Sequence, residues 1–339
     1  MFLILRLLSF YMDTLKLSTS EEDIEIAAKI ILKGGIVAFP TETVYGLGAN
    51  CFDEKAVKKI FKAKGRPQDN PMIVHIANME QLWLVAQDIP NDAYELAEKF
   101  WPGPFTMVLE KNPAVAKSVT AGLKTVAVRF PRNNVAQRLI ELSQPIAAPS
   151  ANLSGQPSPT KAKHVIKELA GKIDAVINGE NVDIGIESTV LDLTQKPFVL
   201  LRPGKITFEE LEKFLGVGNV VRHIEEKGKK VSPKSPGMKY THYSPKAKVI
   251  LFEKESILDF LDNYKGEELI VIGKKRYEYE IIRKTFMYDS KEEIAKNMFD
   301  WFRTVDRLGV NLVLVEGVDE VGLGSAIMNR LRKAANVIM

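Results

Sequence analysis

The feature that most constrains how this chain folds is a repeated alternation between short apolar runs and segments with helical periodicity. In the first example, Ile24, Ala28 and Ile31 recur at helical spacing, a Gly-Gly pair stops that pattern, and the apolar run Ile36–Phe39 follows directly. Because strands and helices alternate in this way along most of the 339 residues, we predict an α/β sheet with helices packed on it.

The individual segments can be assigned from their apolar periodicity and from the turn residues that bound them. We predict strands at Ile36–Phe39, Pro71–Ile76, Phe105–Leu109, Thr125–Phe130, Ile146–Ala148, Ala175–Ile177, Thr189–Leu193, Val199–Leu201, Val249–Phe252, Leu269–Ile272 and Leu312–Val315. We predict helices after Ser20 and at Asp53–Lys64, Asp92–Phe100, Val135–Leu142, Lys161–Leu169, Phe208–Leu215, Ile257–Tyr264, Ile294–Leu308 and Ala326–Ala335.

A stretch between residues 216 and 245 interrupts the alternation. It contains Lys227–Lys230 and Ser232–Gly237, which are rich in lysine, proline and glycine and lack apolar periodicity, as linkers do. We therefore predict a first domain at residues 1–215, a linker at 216–245 and a smaller Rossmann-like domain at 246–339.

Composition sets only weak limits on function. The chain has 47 lysine and arginine and 43 aspartate and glutamate residues, and a net charge of +4 does not indicate a nucleic-acid coat protein. The single cysteine, Cys51, cannot form an internal disulfide, so we expect a cytoplasmic protein. The apolar run Met1–Tyr11 is shorter than the about 20 residues that span a bilayer. We interpret it as an extended or mis-assigned N-terminus, with Met12 as an alternative start. An export signal is the less favoured alternative, because no clear small-residue cleavage site follows.

The sequence contains no standard nucleotide-binding loop. The Walker A pattern is absent, and Gly322 and Gly324 lack the third glycine of a dinucleotide fingerprint, so we interpret them as an ordinary turn. Two cations, Lys64 and Arg66, instead flank Gly65 at the predicted end of a helix. They could converge on a polyanion such as a triphosphate, or they could be the solvated basic residues that a helix C-terminus favours.

Polar side chains also follow two predicted strands, at the carboxyl ends where α/β proteins bind ligands. Thr41 and Thr43 come after the first predicted strand, and Ser150 and Asn152 come after Ile146–Ala148. Their hydroxyl and amide groups could bind phosphate or the polar end of an amino acid, or they could cap ordinary turns.

Arg129 and His75 lie inside predicted strands. A buried arginine needs a partner because an unpaired buried charge is costly. A protein carboxylate would serve, and so would the carboxylate or carbamate of a ligand held by a bidentate fork. A lone histidine such as His75 is more often structural. Since the chain has only four scattered histidines, a Ser-His-Asp triad or a zinc site has little support.

Taken in order, these segments resemble the motifs of the YrdC-like family. The matching segments of the first domain are Gly34–Leu47, Lys64–Arg66, Trp101–Pro104, Arg129–Pro131, Pro149–Gly155, Glu187–Val190 and Arg202–Gly204. Ser235–Pro245 and Gly322–Leu331 resemble the linker and the C-terminal end of the long, two-domain form. The ordered set covers nearly the whole chain after Met12 and resembles the two-domain L-threonylcarbamoyladenylate synthases.

That resemblance implies a fold and a set of site residues. The fold would be a twisted mixed sheet with a positively charged concave face, joined to a smaller Rossmann-like C-terminal domain. The threonine pocket would consist of Thr41, His75, Arg129, Ala148 and Ser188. The ATP pocket would consist of Arg66, Asn70, Thr125, Ser150, Ser158, Arg202 and Tyr240. The catalytic residues would be Lys64, Arg66, Ser150 and Asn152, and the linker from about Ser232 to Pro245 would close over the nucleotide.

The resemblance also implies an activity. The enzyme would be a nucleotidyltransferase that forms threonylcarbamoyl-AMP and pyrophosphate from ATP, L-threonine and bicarbonate, for the N6-threonylcarbamoyladenosine modification of tRNA. Mg²⁺ would accompany ATP without metal ligands from the protein. Its candidate partners would be a downstream tRNA-modifying threonylcarbamoyl transferase and RNA, with no membrane.

Two alternatives stay open from the sequence. A double-stranded RNA or tRNA binding module is disfavoured by the low net charge and the lack of an aromatic-basic RNA motif. Carbamoyl-adenylate chemistry in hydrogenase maturation is disfavoured because no acylphosphatase-like or zinc-finger segment accompanies the domain.

Overall fold

The computed structural model describes residues 13–224 and 243–339. Within these ranges, the first domain is built on one twelve-stranded mixed sheet. Its strands are β1 (Leu15–Leu17), β2 (Val37–Phe39), β3 (Gly46–Asn50), β4 (Ile73–His75), β5 (Ala86–Gln87), β6 (Phe105–Lys111), β7 (Thr125–Arg129), β8 (Ile146–Ala148), β9 (Ala175–Ile177), β10 (Thr189–Asp192), β11 (Phe198–Arg202) and β12 (Val220–Arg222). They lie in the order β1-β9-β2-β3-β8-β4-β7-β6-β10-β11-β12, and β5 pairs with β6.

Helices cover the two faces of this sheet unequally. They are α1 (Glu21–Leu32), α2 (Glu54–Lys64), α3 (Glu80–Val85), α4 (Asn91–Phe100), α5 (Asn134–Leu142), α6 (Ala162–Leu169) and α7 (Phe208–Leu215). The largest core lies on one face, where α2, α4 and α6 bury Ile60, Leu96 and Val165. On the opposite face, α1 and α5 cover the strands near β9, β2 and β8 with side chains such as Ile31 and Ile140.

The face that carries α1 and α5 continues onto β4, β7, β6 and β10, and we call this continuation the open face. Ile73, Val108, Ala127 and Val190 form a small separate apolar cluster on it. In the strand register, His75 and Thr106 both pair with Arg129. Because paired residues project to the same side of a sheet, these polar side chains lie on the open face beside the apolar cluster.

The second domain is a five-stranded parallel sheet in the order β15-β14-β16-β13-β17. Its elements are β13 (Lys248–Phe252), α8 (Ile257–Asn263), β14 (Leu269–Gly273), β15 (Ile282–Met287), α9 (Lys291–Leu308), β16 (Leu312–Glu316), α10 (Leu323–Ala334) and β17 (Val337–Ile338). Helices α9 and α10 pack on one face together with Val44 and Ile186 of the first domain, and α8 packs on the other. A parallel sheet with helices on both faces is Rossmann-like, and the predicted fold class is confirmed.

Polar contacts reinforce the boundary between the domains. Asp300 on α9 accepts hydrogen bonds from His164 Nε2 at 3.0 Å and from Lys161 Nζ at 2.7 Å. Arg303, also on α9, pairs with Glu168 of α6. The predicted linker begins differently from our expectation, because Val220–Arg222 still pairs with β11 as an edge strand of the first sheet.

Some predictions fall outside the described residues. These are the interpretation of Met1–Tyr11, the alternative start at Met12, most of the predicted closing segment and Tyr240. In the part of the chain that the structure describes, no helix is both long and apolar enough to cross a membrane.

Candidate active site

Most of the side chains predicted for the site line one pocket on the open face, which encloses about 740 Å³ of space, part of it open to solvent. The lining residues are Thr41, Thr43, Val44, Gly46, Lys64, Arg66, Ile73, His75, Arg129, Ala148, Pro149, Ser150, Asn152, Ser154, Gly155, Gln156, Glu187, Ser188, Arg202 and Tyr243. All five predicted threonine-binding residues and all four predicted catalytic residues are among them. The structure thus brings Lys64, Arg66, Arg129 and Ser150 together in one pocket.

The strand directions explain why these residues meet across a face. β8 runs antiparallel to β4, whereas β4 runs parallel to β7. The carboxyl end of β8, which leads to Ser150, therefore lies at the opposite edge of the sheet from the carboxyl end of β7, which carries Arg129. The mixed sheet therefore brings the Ser150 and Arg129 segments together along its surface rather than at one edge.

Arg129 is the buried cation at the base of the pocket and is 3% exposed. Its Nη2 lies 2.7 Å from Glu42 Oε1, with the N–H direction off line, so the contact is an ion pair rather than a hydrogen bond. Nη1 donates to Thr43 Oγ1 at 2.8 Å, and Nε donates to Gly103 O at 3.2 Å. The partner that the sequence required for this arginine is thus a protein carboxylate, and the guanidinium is fixed against the pocket wall.

The motif around Trp101 supplies one of those contacts. The Trp101–Pro102 peptide bond is cis, and Trp101 Nε1 donates to Phe105 O at 2.7 Å. Gly103 N donates to Phe130 O at 2.7 Å, which ties this turn to the end of β7. The turn thereby orients the Gly103 carbonyl toward Arg129, a role that spacing alone did not reveal.

Thr41 and Thr43 lie in a turn that also lines the pocket. Thr41 Oγ1 donates to Val44 O at 2.6 Å and accepts from Thr43 N at 3.2 Å, so its hydroxyl holds a turn. The two hydroxyl oxygens are 2.8 Å apart, and both residues are buried in the pocket lining. The turn therefore presents a pair of hydroxyl groups beside Arg129.

His75 lies next to Arg129 across the pairing of β4 with β7. Burial, reinforced by the charge of Arg129, lowers the pKa of His75 to about 3. Its Nδ1 is buried and has no hydrogen-bond partner among the residues that the structure describes. A neutral imidazole with an unsatisfied nitrogen at a pocket wall can hydrogen-bond a ligand.

Lys64 is the last residue of α2 and is 2% exposed. Gly65 ends the helix in a left-handed conformation, with φ of 59°, and so turns the chain toward Arg66. Lys64 Nζ donates to Ser150 O at 2.5 Å and to Asn152 O. Burial, followed by the charge of Arg66, holds the pKa of Lys64 well below its usual value. The buried Lys64 side chain thus links the end of α2 to the Pro149–Gly155 loop. Lys64 is therefore not one of the solvated basic residues that a helix C-terminus favours.

Arg66 occupies the rim of the same pocket and is partly exposed. Its Nη2 donates to Asn70 O at 3.2 Å and to Pro71 O at 2.9 Å. These bonds to carbonyls hold the guanidinium at the pocket mouth. Asn70 is 1% exposed and does not line the pocket, but its buried Oδ1 has no hydrogen-bond partner within the described ranges.

The Pro149–Gly155 loop is held by its own side chains as well. Ser150 Oγ donates to Asn152 Oδ1 at 2.5 Å, and Asn152 Nδ2 donates to Leu153 O and Gln156 O at 2.8 and 2.9 Å. The two residues predicted as a ligand-binding pair are therefore bonded to each other. Because the Ser150 hydroxyl donates its hydrogen to Asn152, only its oxygen lone pairs remain to accept a hydrogen bond from a ligand in the pocket.

A second arginine anchors the other wall. Arg202 Nε donates to Ser188 O at 3.0 Å, and Nη2 donates to Ser188 Oγ at 3.1 Å. Ser188 Oγ is also 2.8 Å from Thr106 Oγ1. Burial lowers the pKa of Arg202 to about 10, so it stays protonated at neutral pH. Ser188 was predicted to bind threonine and Arg202 to bind ATP. The structure shows these two residues hydrogen-bonded directly to each other.

Besides Asn70, two further predicted ATP-binding residues, Ser158 and Thr125, lie outside the pocket lining. Ser158 is fully buried and donates to Glu187 Oε1 at 2.6 Å, so its hydroxyl supports the pocket from behind. Thr125 begins β7, four residues before Arg129, and pairs with Glu110. At about 3.3 Å per strand residue it lies on the same face about 13 Å from Arg129.

Sequence reasoning did not single out three residues that matter to the site, Glu42, Glu187 and Tyr243. Glu42 lies inside the quoted Gly34–Leu47 motif, and Glu187 begins the quoted Glu187–Val190 motif, so both could have been selected as partners for buried arginines. Burial alone would raise the pKa of Glu187, but the charges of Arg330 and Arg202 hold it below its usual value. Tyr243 lines the pocket and stacks on Phe299 of α9 with ring centroids 5.2 Å apart.

Comparison with known proteins gives a consistent result. Residues 29–204 match a family model described as telomere recombination, and residues 206–336 match one described as the C-terminal domain of threonylcarbamoyl-AMP synthase. The threonylcarbamoyl-AMP synthase of Pyrococcus abyssi is 52% identical over 93% of this chain and 94% of its own length. The threonylcarbamoyl-AMP synthase of Bacillus subtilis is 44% identical over 94% of this chain and 95% of its own length. The crystal structure of P. abyssi Sua5 complexed with L-threonine superposes with a TM-score of 0.88 at 49% identity and covers 96% of this chain and 99% of that one.

Proposed function

This chain belongs to the threonylcarbamoyl-AMP synthase family in its long, two-domain form, and from that premise we propose how its pocket carries out the reaction. It is an ATP-using nucleotidyltransferase that makes threonylcarbamoyl-AMP for the modification of tRNA. The observation that carries the proposed mechanism is the convergence of Lys64, Arg66, Arg129 and Arg202 on one pocket. Because ATP and a carboxylated amino acid are both anions, a cationic pocket is what allows them to meet.

L-threonine would occupy the base of the pocket. We propose that its carboxylate contacts Arg129, and that Thr41, His75, Ala148 and Ser188 surround the rest of the molecule. The neutral His75 ring with its unsatisfied Nδ1 supports this assignment, since it can bond a polar group without adding charge. The buried guanidinium, already fixed by Thr43 and Gly103, supplies a preorganised cation.

ATP would extend from the pocket mouth along the open face. We propose that the phosphates of ATP bind to Lys64, Arg66, Ser150, Asn152 and Arg202. Thr125 would contact the far end of the nucleotide, which its location on the same face supports. The unsatisfied Oδ1 of Asn70 would accept a hydrogen bond from the nucleotide. Ser158 would not contact ATP itself but would hold Glu187 in place behind the pocket.

The reaction needs two steps that balance without a covalent enzyme intermediate. The threonine amine adds to bicarbonate, which forms a C–N bond and releases water to give the carbamate. A carbamate oxygen then attacks the α-phosphorus of ATP, the bond to the bridging oxygen of the β-phosphate breaks, and pyrophosphate leaves. The protein holds the two anions in line and stabilises the charge that develops on the departing phosphates.

We propose that Mg²⁺ enters as a companion of ATP. Among the described residues no group of three acidic, histidine or cysteine side chains is arranged to hold a metal ion. Mg²⁺ is usually bound through substrate phosphates and water rather than by an all-protein cage. Its chemistry would be to neutralise phosphate charge.

We further propose the predicted division into a first domain, a linker ending at residue 245 and a second domain, with the first boundary placed after β12 rather than at residue 215 and with the first domain carrying the chemistry. All the pocket-lining residues except Tyr243 belong to it. A cytoplasmic location is supported by the tRNA modification that the product serves and by the single cysteine. The labile adenylate would pass to a tRNA-modifying threonylcarbamoyl transferase. Direct tRNA contact would appear as filter binding that weakens steeply with salt.

The test is pyrophosphate release by the purified chain with ATP and Mg²⁺, with threonine or bicarbonate omitted in turn. We expect release only when both are present. Arg129→Met should abolish it, whereas Arg132→Met, which removes an arginine that is 60% exposed three residues away, should leave it unchanged. Release that is independent of threonine would contradict the proposal.

A further inference from the structure

Arg330 of the second domain is buried against the first. It lies on α10 and is 0% exposed. Its side chain is the largest fully buried one among the described residues. An arginine carries five N–H donors and a permanent charge, so complete burial is tolerated only where partners compensate it. The contacts of Arg330 therefore show what the second domain contributes at this point.

Those contacts join two separate segments of the first domain. Nε donates to Glu187 Oε2 at 3.1 Å, and Nη2 donates to Glu187 O at 3.3 Å. Nη1 donates to Pro203 O and, at 3.3 Å, to Ala326 O of its own helix. One rigid guanidinium thus holds Glu187 and Pro203 in a fixed relation.

Each segment adjoins a residue of the pocket. Glu187 precedes Ser188, and Pro203 follows Arg202, while Ser188 and Arg202 are bonded to each other. The packing there is tight, because a Cβ added at Gly204 would lie 2.3 Å from Thr189 N. A displacement of either segment would therefore move Ser188 and Arg202 together.

We propose that Arg330 is a positioning residue of the active site, through which the second domain fixes the threonine-side Ser188 and the nucleotide-side Arg202. The proposal rests on the function assigned above, because it takes these two residues to contact the two substrates. It gives the second domain a part in substrate binding, although Arg330 itself does not line the pocket.

The test compares Arg330→Met with Arg332→Met in the full-length enzyme. Arg332 lies on the same helix, and its ion pairs, with Glu253 at 2.7 Å and Glu320 at 2.6 Å, stay within the second domain. We expect Arg330→Met to raise the KM of both threonine and ATP about ten- to a hundredfold, the usual effect of a small misplacement of binding groups. Arg332→Met should keep both KM values of the wild type.

A folding defect is separated from a positioning defect by measuring threonine binding calorimetrically, well below each variant's melting temperature. Arg330→Lys is the second variant. Lysine keeps a positive charge near Glu187, but its ammonium group cannot donate to Glu187 and to the Pro203 carbonyl at the same time, as the forked guanidinium does. Arg330→Lys should show an intermediate loss of affinity for both substrates. Wild-type affinities in a folded Arg330→Met, or in Arg330→Lys if Arg330→Met does not fold, would overturn the proposal. An inactive wild-type enzyme would instead refute the proposed function.

Discussion

Glu42 and Arg129 form an ion pair 2.7 Å long beneath the pocket, and their side chains are only 2% and 4% exposed. The pair explains how a positive charge can be kept inside the sheet before any substrate arrives. Burial alone would raise the pKa of Glu42, but the positive charge of the adjacent Arg129 outweighs that effect and holds the pKa of Glu42 below its usual value. The carboxylate therefore remains ionised at neutral pH, and a bound carboxylate would be the second anion on this guanidinium.

Removing one partner of a buried pair should be costly. We expect Glu42→Gln to lower the free energy of unfolding by about 3–5 kcal/mol, because it leaves the Arg129 charge uncompensated. Urea denaturation at pH 7 measures this. Glu21→Gln is the matched control, since Glu21 pairs with Arg138 on the surface and its loss should change little.

The same pair has a defined pH dependence. Because the pKa of Glu42 is lower in the folded state, its contribution is complete above the unfolded value and is lost as pH falls through the folded value. The stability difference between wild type and Glu42→Gln should therefore shrink below about pH 4.5. A difference that stays constant down to pH 3 would contradict the assignment.

Lys64→Met should remove both the charge and the tie to the Ser150 loop. We expect kcat/KM for ATP to fall by a factor equivalent to about 2–4 kcal/mol, the scale of a charged or preorganised contact. Steady-state pyrophosphate release measures it. Lys62→Met, at an exposed position on the same helix, is the control and should match wild type. Full activity of Lys64→Met would show that this lysine serves neither substrate nor loop.

His75 should make the protein less stable in mild acid. Its pKa of about 3 in the folded state lies below the ordinary 6.5, so the unfolded chain takes up the proton first and stability falls with pH below 6.5. The loss would be about 2 kcal/mol between pH 6.5 and 5. His75→Gln should flatten this part of the stability curve, and the exposed His223→Gln should not. Parallel curves for wild type and His75→Gln would refute the burial argument.

Cys51 offers a test of the first core. It is fully buried, and burial raises the pKa of its thiol well above the usual value. An aromatic disulfide reagent should react with one thiol per chain in denaturant. In the native protein the reaction should be slower by about a thousandfold or more, as opening free energies of about 4 kcal/mol require. Rapid native labelling would mean that this core is open.

The alternation of patterns was enough to predict most of the α/β framework. The predicted helix Phe208–Leu215 has the observed bounds, and Ile146–Ala148 was also found as predicted. The missed strand Gly46–Asn50 contains two glycines, so its side chains carry little β signal even though its backbone is buried. Ile282–Met287 was missed because it is an edge strand with mixed burial and basic side chains.

The site was harder to predict because its geometry depends on contacts between distant segments. The sequence indicated that Arg129 needed a partner, but only the fold shows Glu42 in that position. Likewise, Lys64 was considered as a solvated helix end, and the fold shows it buried against Ser150. Arg330 lies 143 positions from Glu187 in the chain, a pairing that no local pattern encodes.

The central claim is that carboxylated threonine, rather than threonine itself, attacks ATP in this pocket. Mass spectrometry of the adenylate formed from ¹³C-bicarbonate, threonine, ATP and Mg²⁺ tests it most directly. We predict threonylcarbamoyl-AMP that carries one heavy carbon, formed together with pyrophosphate and absent when bicarbonate is removed. An unlabelled adenylate of threonine, or pyrophosphate without a labelled product, would contradict the account.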